Sequence, residues 1–306
     1  MFKIILKRIS ASLFTLWAII TVSFFMMKVA PGGPFDSEKM PPPAIMKAIQ
    51  AKYHLDEPIH KQYILYMKGL CKLDFGPSFK VAHLSVIDVI KAGIGHTLTI
   101  GLIAMFLSLL VGVCIGLISA LYHNKFVDHL LMSSAMLGIS VPNMVLAPIL
   151  LLIFGLKLNL VPVSGLSTPA SYILPSFCLS LFYIANIARL TRGSLLEVLS
   201  SNYVRTAMSK GLPMAKIVLT HCLKPTLIPV VSYLGPATAG ILAGSLVIEK
   251  IFVIPGIGRQ FVDSAFARDY TMAMGMIIFY CTLVIVFNIL VDMSYFLLDP
   301  QIRSKG

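Results

Sequence analysis

RLTRGSLLEVLSSNYVRTAMSKGLPMAKIVLTHCLK, residues 189–224, is a polar interruption between two apolar runs, and its reading dictates how the rest of the chain is arranged. Leu196, Leu199, Tyr203 and Ala207 recur in it at three- and four-residue spacing, which predicts a helix from Glu197 to Lys210. Gly211 and Pro213 supply a stop and a restart, and a second helix is expected from Met214 to Leu223. Arg189, Arg192, Arg205, Lys210, Lys216 and Lys224 stand against a single acid, Glu197, so the segment reads as a basic helix-turn-helix outside a bilayer. Such a surface suits a cytoplasmic partner, and it also suits a juxtamembrane loop that only obeys topology and lipid charge.

Working outward, hydrophobic residues make up 57% of the 306 residues and charged residues 12%, which marks an integral membrane protein rather than an ordinary soluble domain. A net charge of +12 raises the possibility of nucleic acid, but the cations flank apolar runs instead of interleaving with aromatics on one face. Topology explains them better, so no nucleic-acid partner is expected. Cys71, Cys114, Cys178, Cys222 and Cys281 lie in different segments without CxxC spacing, which points to neither a metal site nor a disulfide framework.

Three regions follow: an N-terminal tail and first span over 1–30, an outer region over 31–95, and a five-span core over 96–306. The run Ile9 to Met27 is long enough to cross, and it is read as a retained helix, since it exceeds a signal-peptide core and no small-residue cleavage pattern follows. In the outer region two amphipathic helices are expected, one from Ala44 to Tyr53 and one capped by Asp56, with Ile59, Tyr63, Tyr66 and Leu70 on one stripe. A turn at Asp74 to Ser78 follows. The second span, Thr97 to Leu121, repeats small residues at Ser108, Gly112, Gly116 and Ala120, a face for close helix packing. The third, Leu130 to Leu156, carries Pro142, Asn143 and Pro148 and is expected to be one kinked helix beside protein or a polar cavity. Tyr172 to Ala188, with Asn186, is the fourth span. Pro225 to Ile248, interrupted by Pro229 and Pro236, is the fifth, and Thr271 to Val291, with Asn288, is the sixth.

With both termini inside, the inner segments carry twelve Lys and Arg against four in the short outer loops. The other nine lie between Lys28 and Lys91, in a region too long for the positive-inside rule to apply. Six spans with both ends in the cytoplasm is the expected topology, which places 189–224 inside.

The loop RTAMSKGLP, Arg205 to Pro213, resembles the EAA loop of ABC importer permeases, with Arg205 where the named glutamate usually stands. The likeness extends along the chain through SFFMMKVAPGGPF, AKYHLDEPI, DFGPSF, IARLTRGSLLEVL, GSLVIEKIFVIPGIGRQFV and RDY, in that family's order. Taken together these resemble the B-type permease subunit of bacterial oligopeptide ABC transporters. The chain departs from most relatives at Pro31-Gly32-Gly33-Pro34, where they read PGDP.

The resemblance implies an all-α polytopic protein with the type I importer permease fold, resident in the bacterial inner membrane. It implies a half-channel that pairs with a homologous C-type permease, two ATP-binding subunits and an extracytoplasmic peptide-binding protein. Arg205, Thr206, Ala207, Lys210, Gly211, Leu212 and Pro213 are the residues it assigns to ATPase coupling. No GxxxxGK[ST] phosphate loop is present, so the chain is expected not to be an enzyme, with ATP and Mg bound by partners. Asn143, Asn186 and Asn288 are candidates for the translocation path, or for bonds between helices. Pro255, Gly256 and Gly258 form either a plain turn or a surface toward the binding protein. Asp292 reads as a paired or solvated group near the inner interface, and His96 as an interfacial residue. Dipeptides, nickel chelates, opines or heme are alternative cargoes. A secondary carrier would need acids within its spans, and a hydrolase an HExxH or GxSxG motif; the spans carry no internal charge and neither motif occurs.

Overall fold

Hydrocarbon offers no water to backbone N–H and C=O groups, so an apolar chain of this kind satisfies them within its own helices. The computed structural model, which describes residues 2–29, 56–80, 84–166 and 168–298, follows that rule: among the described residues there is no sheet, only one isolated bridge between Pro77 and Ser85. In chain order the helices are α1 (Phe2–Val29), α2 (Ile59–Cys71), α3 (Val86–Leu121), α4 (Phe126–Ser140), α5 (Asn143–Leu150), α6 (Ile173–Leu199), α7 (Asn202–Ser209), α8 (Met214–Ile217), α9 (Leu223–Ile251), α10 (Ile257–Phe266) and α11 (Tyr270–Leu298). Two π-helical stretches, Leu151–Lys157 and Val218–Cys222, continue α5 and join α8 to α9, and a 3-10 turn at Pro169–Tyr172 leads into α6.

Among the described residues five helical segments are long and apolar enough to cross a membrane, and the bent pair Phe126–Ser140 with Asn143–Lys157 makes six if it is counted as one span. That pair corrects the expectation of a single kinked helix, because its two halves meet at 106°. The cause is local: a residue before proline is pushed out of helical geometry, and Val141 sits extended at φ −109, ψ 121 ahead of Pro142. Pro229 and Pro236 have the opposite outcome, since α9 runs unbroken through both.

The stripe Ser108, Gly112, Gly116 and Ala120 is buried, three of its members against α6, in the most extensive helix pair of the molecule. A Cβ at Gly112 would lie 2.9 Å from Ile187, and one at Gly116 2.6 Å from the carbonyl oxygen of Ala188. The Ser108 hydroxyl reaches the Ser180 carbonyl at 3.3 Å. Without a hydrophobic drive between helices in lipid, this backbone proximity is what holds the pair. α6 is accordingly the most enclosed of the spans.

Three apolar cores lie along the bundle. One gathers Ile100, Leu179, Ile241 and Ile248, and a second Val86, Ile90, Ile257 and Met276 at the end that carries α10. The third, at the opposite end, joins Ala120, Leu195, Val204, Ala207, Ile217 and Cys222. α2 lies against α1, with Thr21 and Tyr63 hydroxyls 2.8 Å apart and Phe24 between Tyr63 and Tyr66. Its N-cap is Pro58 rather than Asp56, and the expected helix from Ala44 to Tyr53 lies outside the described residues. The turn after Asp74 forms as expected, with Gly76 at φ +87 and its N–H on the Asp74 carboxylate at 2.9 Å.

Candidate functional site

The loop between α6 and α9 is built by terminators. α6 continues to Leu199, where the hydroxyls of Ser200 and Ser201 donate to the carbonyls of Glu197 and Val198 at 2.7 and 2.6 Å. Ser201 is then extended and α7 starts afresh at Asn202. The single helix expected from Glu197 to Lys210 is therefore two, because the paired serines take over carbonyls that a continuing helix would have used. The inward face changes with it: Val204 and Ala207 are buried, whereas Tyr203, read as part of the apolar stripe, is 49% exposed.

α7 ends in a Schellman motif. The Gly211 N–H bonds to Met208 O at 2.9 Å and the Leu212 N–H to Ala207 O at 3.4 Å, with Gly211 left-handed at φ +76. Leu212 packs beside Ala207 on the third core, the apolar contact that goes with this cap. Pro213, extended, then starts α8. Of the seven residues assigned to coupling, Ala207 is buried and Leu212 half-buried, so these two hold α7 in place. Arg205, Thr206, Lys210, Gly211 and Pro213 are exposed, and so are Met208 and Met214, two large apolar side chains that the sequence reading did not single out. The result is a short basic helix with an apolar underside seated on the bundle and a mixed face turned away from it.

At the other end, Pro255 is exposed while Gly256 and Gly258 are buried. Both glycines surround a side chain that the sequence reading left in a loop, Glu249, which is 0% exposed. Its Oε2 accepts the N–H groups of Gly258 at 2.7 Å and Arg259 at 3.2 Å, and Thr97 Oγ1 accepts that of Ile257 at 3.0 Å. The first three donors of α10 are thus satisfied from α9 and α3, with a carboxylate at the positive end of the helix dipole. A Cβ on Gly256 would strike that carboxylate, and one on Gly258 would come within 2.7 Å of Leu246 Cα. Close approach, not outward display, explains these two glycines. Asp269 acts similarly at the next helix: it accepts from Ser78 and from the N–H groups of Phe79 at 3.1 Å and Met272 at 3.2 Å, tying the outer region to the start of α11.

The three asparagines are not brought together by any mutual hydrogen bond. Asn186 donates to Phe182 O at 2.8 Å and accepts from Arg189 at 3.0 Å, on a stripe of α6 where Phe182, Arg189 and Gly193 are exposed; Ile173 and Phe177, near the start of the helix, are exposed on its other face. Asn288 packs against Gly235 of α9, where a Cβ would lie 3.3 Å from its side-chain oxygen. Asn143 opens α5 at the 106° bend, half-buried. His96 bonds Tyr172 at 2.6 Å, and the side chain of Asp292 lies outside the described residues. Among the described residues no cluster of His, Cys, Asp and Glu is arranged to hold a metal.

Residues 112–304 match the family model described as binding-protein-dependent transport system inner membrane component, and residues 1–100 match the N-terminal model of the same system. The oligopeptide transport system permease protein OppB of Haemophilus influenzae is 47% identical over 99% of this chain and 100% of its own length. That of Escherichia coli K12 is 48% identical over the same shares, and the dipeptide transport system permease protein DppB of Bacillus subtilis is 43% identical over the full length of both. Among solved structures, the inward-facing MetNI methionine ABC transporter superposes with a TM-score of 0.59 at 15% identity, over 70% of this chain and 97% of that one, which is a likeness of fold. In this family ATP is hydrolysed by separate subunits, and the membrane component itself is not a catalyst. With its apolar spans, its three packed cores and family matches that together run along nearly its whole length, this chain belongs to the inner membrane components of binding-protein-dependent transport systems, multi-pass proteins with the ABC importer permease fold.

Proposed function

We propose that the chain is the B-type permease of an oligopeptide importer, one half of a channel completed by a homologous C-type permease. Two ATP-binding subunits, which hold the ATP and Mg, drive it from the cytoplasm, and an extracytoplasmic binding protein delivers the peptide. The observation that carries this is α7: eight residues, Asn202–Ser209, fixed to the bundle by Val204 and Ala207 and turning Arg205, Thr206 and Met208 outward at the tip of the bundle, with the exposed Lys210 as its C-cap. An amphipathic helix whose buried face is already occupied offers its other face to a partner's groove, and charged residues on that face fix register and partner choice. Closure of the ATPase pair then displaces α7, and rigid spans carry the displacement toward the α10 end as alternating access.

Full-length similarity to proteins named for oligopeptide transport supports that cargo, and similarity to DppB proteins keeps dipeptides as the second reading. The exposed stripe of α6 with Asn186 and Arg189 faces the C-type partner and the path, since it combines polar groups with exposure in the α7-proximal half of an otherwise well-buried span. Orientation follows the distribution of cations, with both termini and α7 inside.

The direct test is a cross-link. With Thr206→Cys in the assembled complex, a short bifunctional reagent is expected to join this chain to an ATPase subunit, in a yield that changes when ATP is bound. Failure to cross-link from Thr206→Cys and Lys210→Cys alike would remove α7 from the interface. Competition for uptake of a radiolabelled tripeptide separates the cargoes: longer peptides are expected to compete and dipeptides to compete poorly, whereas the reverse order selects the dipeptide reading.

A further inference from the structure

The first turn of α4, just after the loop from α3, contains an acid that the coupling reading does not use. Asp128 is 1% exposed, although it lies beside an exposed turn at the α7 end of the bundle. Its two carboxylate oxygens take Arg192 of α6 in a fork: Nε donates to Oδ1 and Nη2 to Oδ2, each at 2.8 Å. Ser119 of α3 donates to Oδ1 and the Asn124 N–H to Oδ2 at 2.9 Å. His123 Nδ1 lies 3.1 Å from the same guanidinium nitrogen, and Asn124 is left-handed at φ +57, which folds the turn over the ion pair. One carboxylate therefore fastens α3, the turn, α4 and α6 together.

Its position bears on α7. Arg192 stands one helical turn before Leu195, which is 0% exposed in the third core with Ala120 of α3 and with Val204 and Ala207, the two residues that seat α7. Gly116, one turn before Ala120, is the point where α3 and α6 come closest to backbone contact, a Cβ there falling 2.6 Å from Ala188 O. On the α10 side of that contact the two helices meet through packing and the one hydrogen bond from Ser108 to the Ser180 carbonyl; on the α7 side the ion pair is added to the packing of Ala120 and Leu195. A bidentate guanidinium–carboxylate pair restrains rotation as well as distance, which packing alone does not.

We infer that Asp128 and Arg192 form a positioning pair that makes the ends of α3 and α6 and the seated α7 a single body, so that displacement of α7 is passed into the spans instead of being absorbed at the α6–α7 break. This rests on the coupling reading of α7. Both residues act through the seat of α7.

The test is the number of ATP molecules hydrolysed per radiolabelled trialanine imported, measured in proteoliposomes containing the complete transporter with its binding protein. Asp128→Asn keeps the size and the acceptor oxygen but removes the charge, and Arg192→Gln removes the fork. Each is expected to raise ATP spent per peptide by about tenfold, through lost uptake at nearly unchanged hydrolysis. Arg192→Lys, which keeps charge without the fork, should fall between, and the double variant should be no worse than either single one, because the two residues act as a unit. An unchanged ratio in all three single variants, or additive effects in the double, overturns the inference. So does uptake and hydrolysis falling together in Arg192→Lys, since that reports only lost complex. Cross-linking from Thr206→Cys in the same preparations separates the two readings: a normal cross-link with an unchanged ratio sinks the positioning pair alone, and no cross-link in the parent sinks the coupling reading and this one with it.

Discussion

Two single residues illustrate how much depends on backbone conformation and on one buried oxygen. Gly211 is left-handed, and a Cβ there would meet nothing within 4 Å, so the objection to a side chain is torsional and not steric. Gly211→Ala is expected to cost about 1–2 kcal/mol of local strain, loosening the cap of α7 while leaving the subunit in the membrane. Gly211→Asn, whose side chain tolerates that region, should keep more uptake than Gly211→Ala; equal loss in both would mean the cap geometry is irrelevant to transport. Glu249 makes the complementary case. Glu249→Ala strands the Gly258 and Arg259 N–H groups at about 1–3 kcal/mol for a buried donor, whereas Glu249→Gln retains an acceptor. Thermal unfolding of the purified complex should therefore rank parent, Gln and Ala in falling order, and an Ala variant as stable as the parent would refute the capping role. The two residues differ in legibility: a glycine shortly before a proline announces a helix stop, but nothing near Glu249 in sequence tells that the loop after it folds back so that the carboxylate meets an N-terminus nine residues on.

At the scale of elements, periodicity was readable and interruption was not. The four-residue recurrence of Ser108, Gly112, Gly116 and Ala120 identified the packed face of α3 because small side chains have one use in lipid, and the structure buries all four, three of them against α6. Gly116→Leu should consequently prevent α3 and α6 from meeting, with Thr191 Cβ only 2.5 Å from the first added carbon. The measurement is the amount of subunit in the membrane fraction and its co-purification with partners, both expected to fall severalfold relative to Gly95→Leu, where a Cβ meets nothing within 4 Å. Equal yields would show that the helix pair does not depend on this contact. Breaks were harder to place. Pro142 splits a span at 106° while Pro229 and Pro236 leave α9 whole, and the difference lies in the extended Val141 and in the packing around each site, which one-dimensional patterns do not encode. Ser200 and Ser201 are of the same kind: each is ordinary in a helix, and only side by side do they cap and end α6. The ion pair of Asp128 with Arg192 joins positions 64 residues apart, so the sequence offered two charges near an interface and no means of pairing them.

For the whole molecule, the arrangement has two distinct ends, and the prediction that belongs to this scale is which end faces which compartment. α7 and the third core lie at one end; α10, Glu249 and Asp269 lie at the other, with α3, α6, α9 and α11 running between. An electrostatic argument assigns them, because Lys and Arg concentrate in short segments on the cytoplasmic side, and the loop with α7 is the richest of the short ones. Cys71, Cys114, Cys178, Cys222 and Cys281 are all free, so a background lacking them permits single reporters. Thr206→Cys on α7 and Phe266→Cys on α10, where the native side chain is 84% exposed, place one thiol at each end. In spheroplasts, a membrane-impermeant maleimide should label Phe266→Cys directly and Thr206→Cys only after permeabilisation. Reversed labelling would put the basic end outside, beyond reach of any ATPase, and the drive would then have to enter through α10. Labelling of both without permeabilisation would mean that α7 is not screened by the bilayer at all, in disagreement with five apolar segments that separate the two ends. Under the coupling proposed for α7, that sidedness gives the mechanism its direction: force would enter at the seat of α7, pass along the α3–α6 pair that Gly112 and Gly116 hold nearly backbone to backbone, and reach the Thr97–Ile257 bond at the base of α10 through one continuous helix, α3.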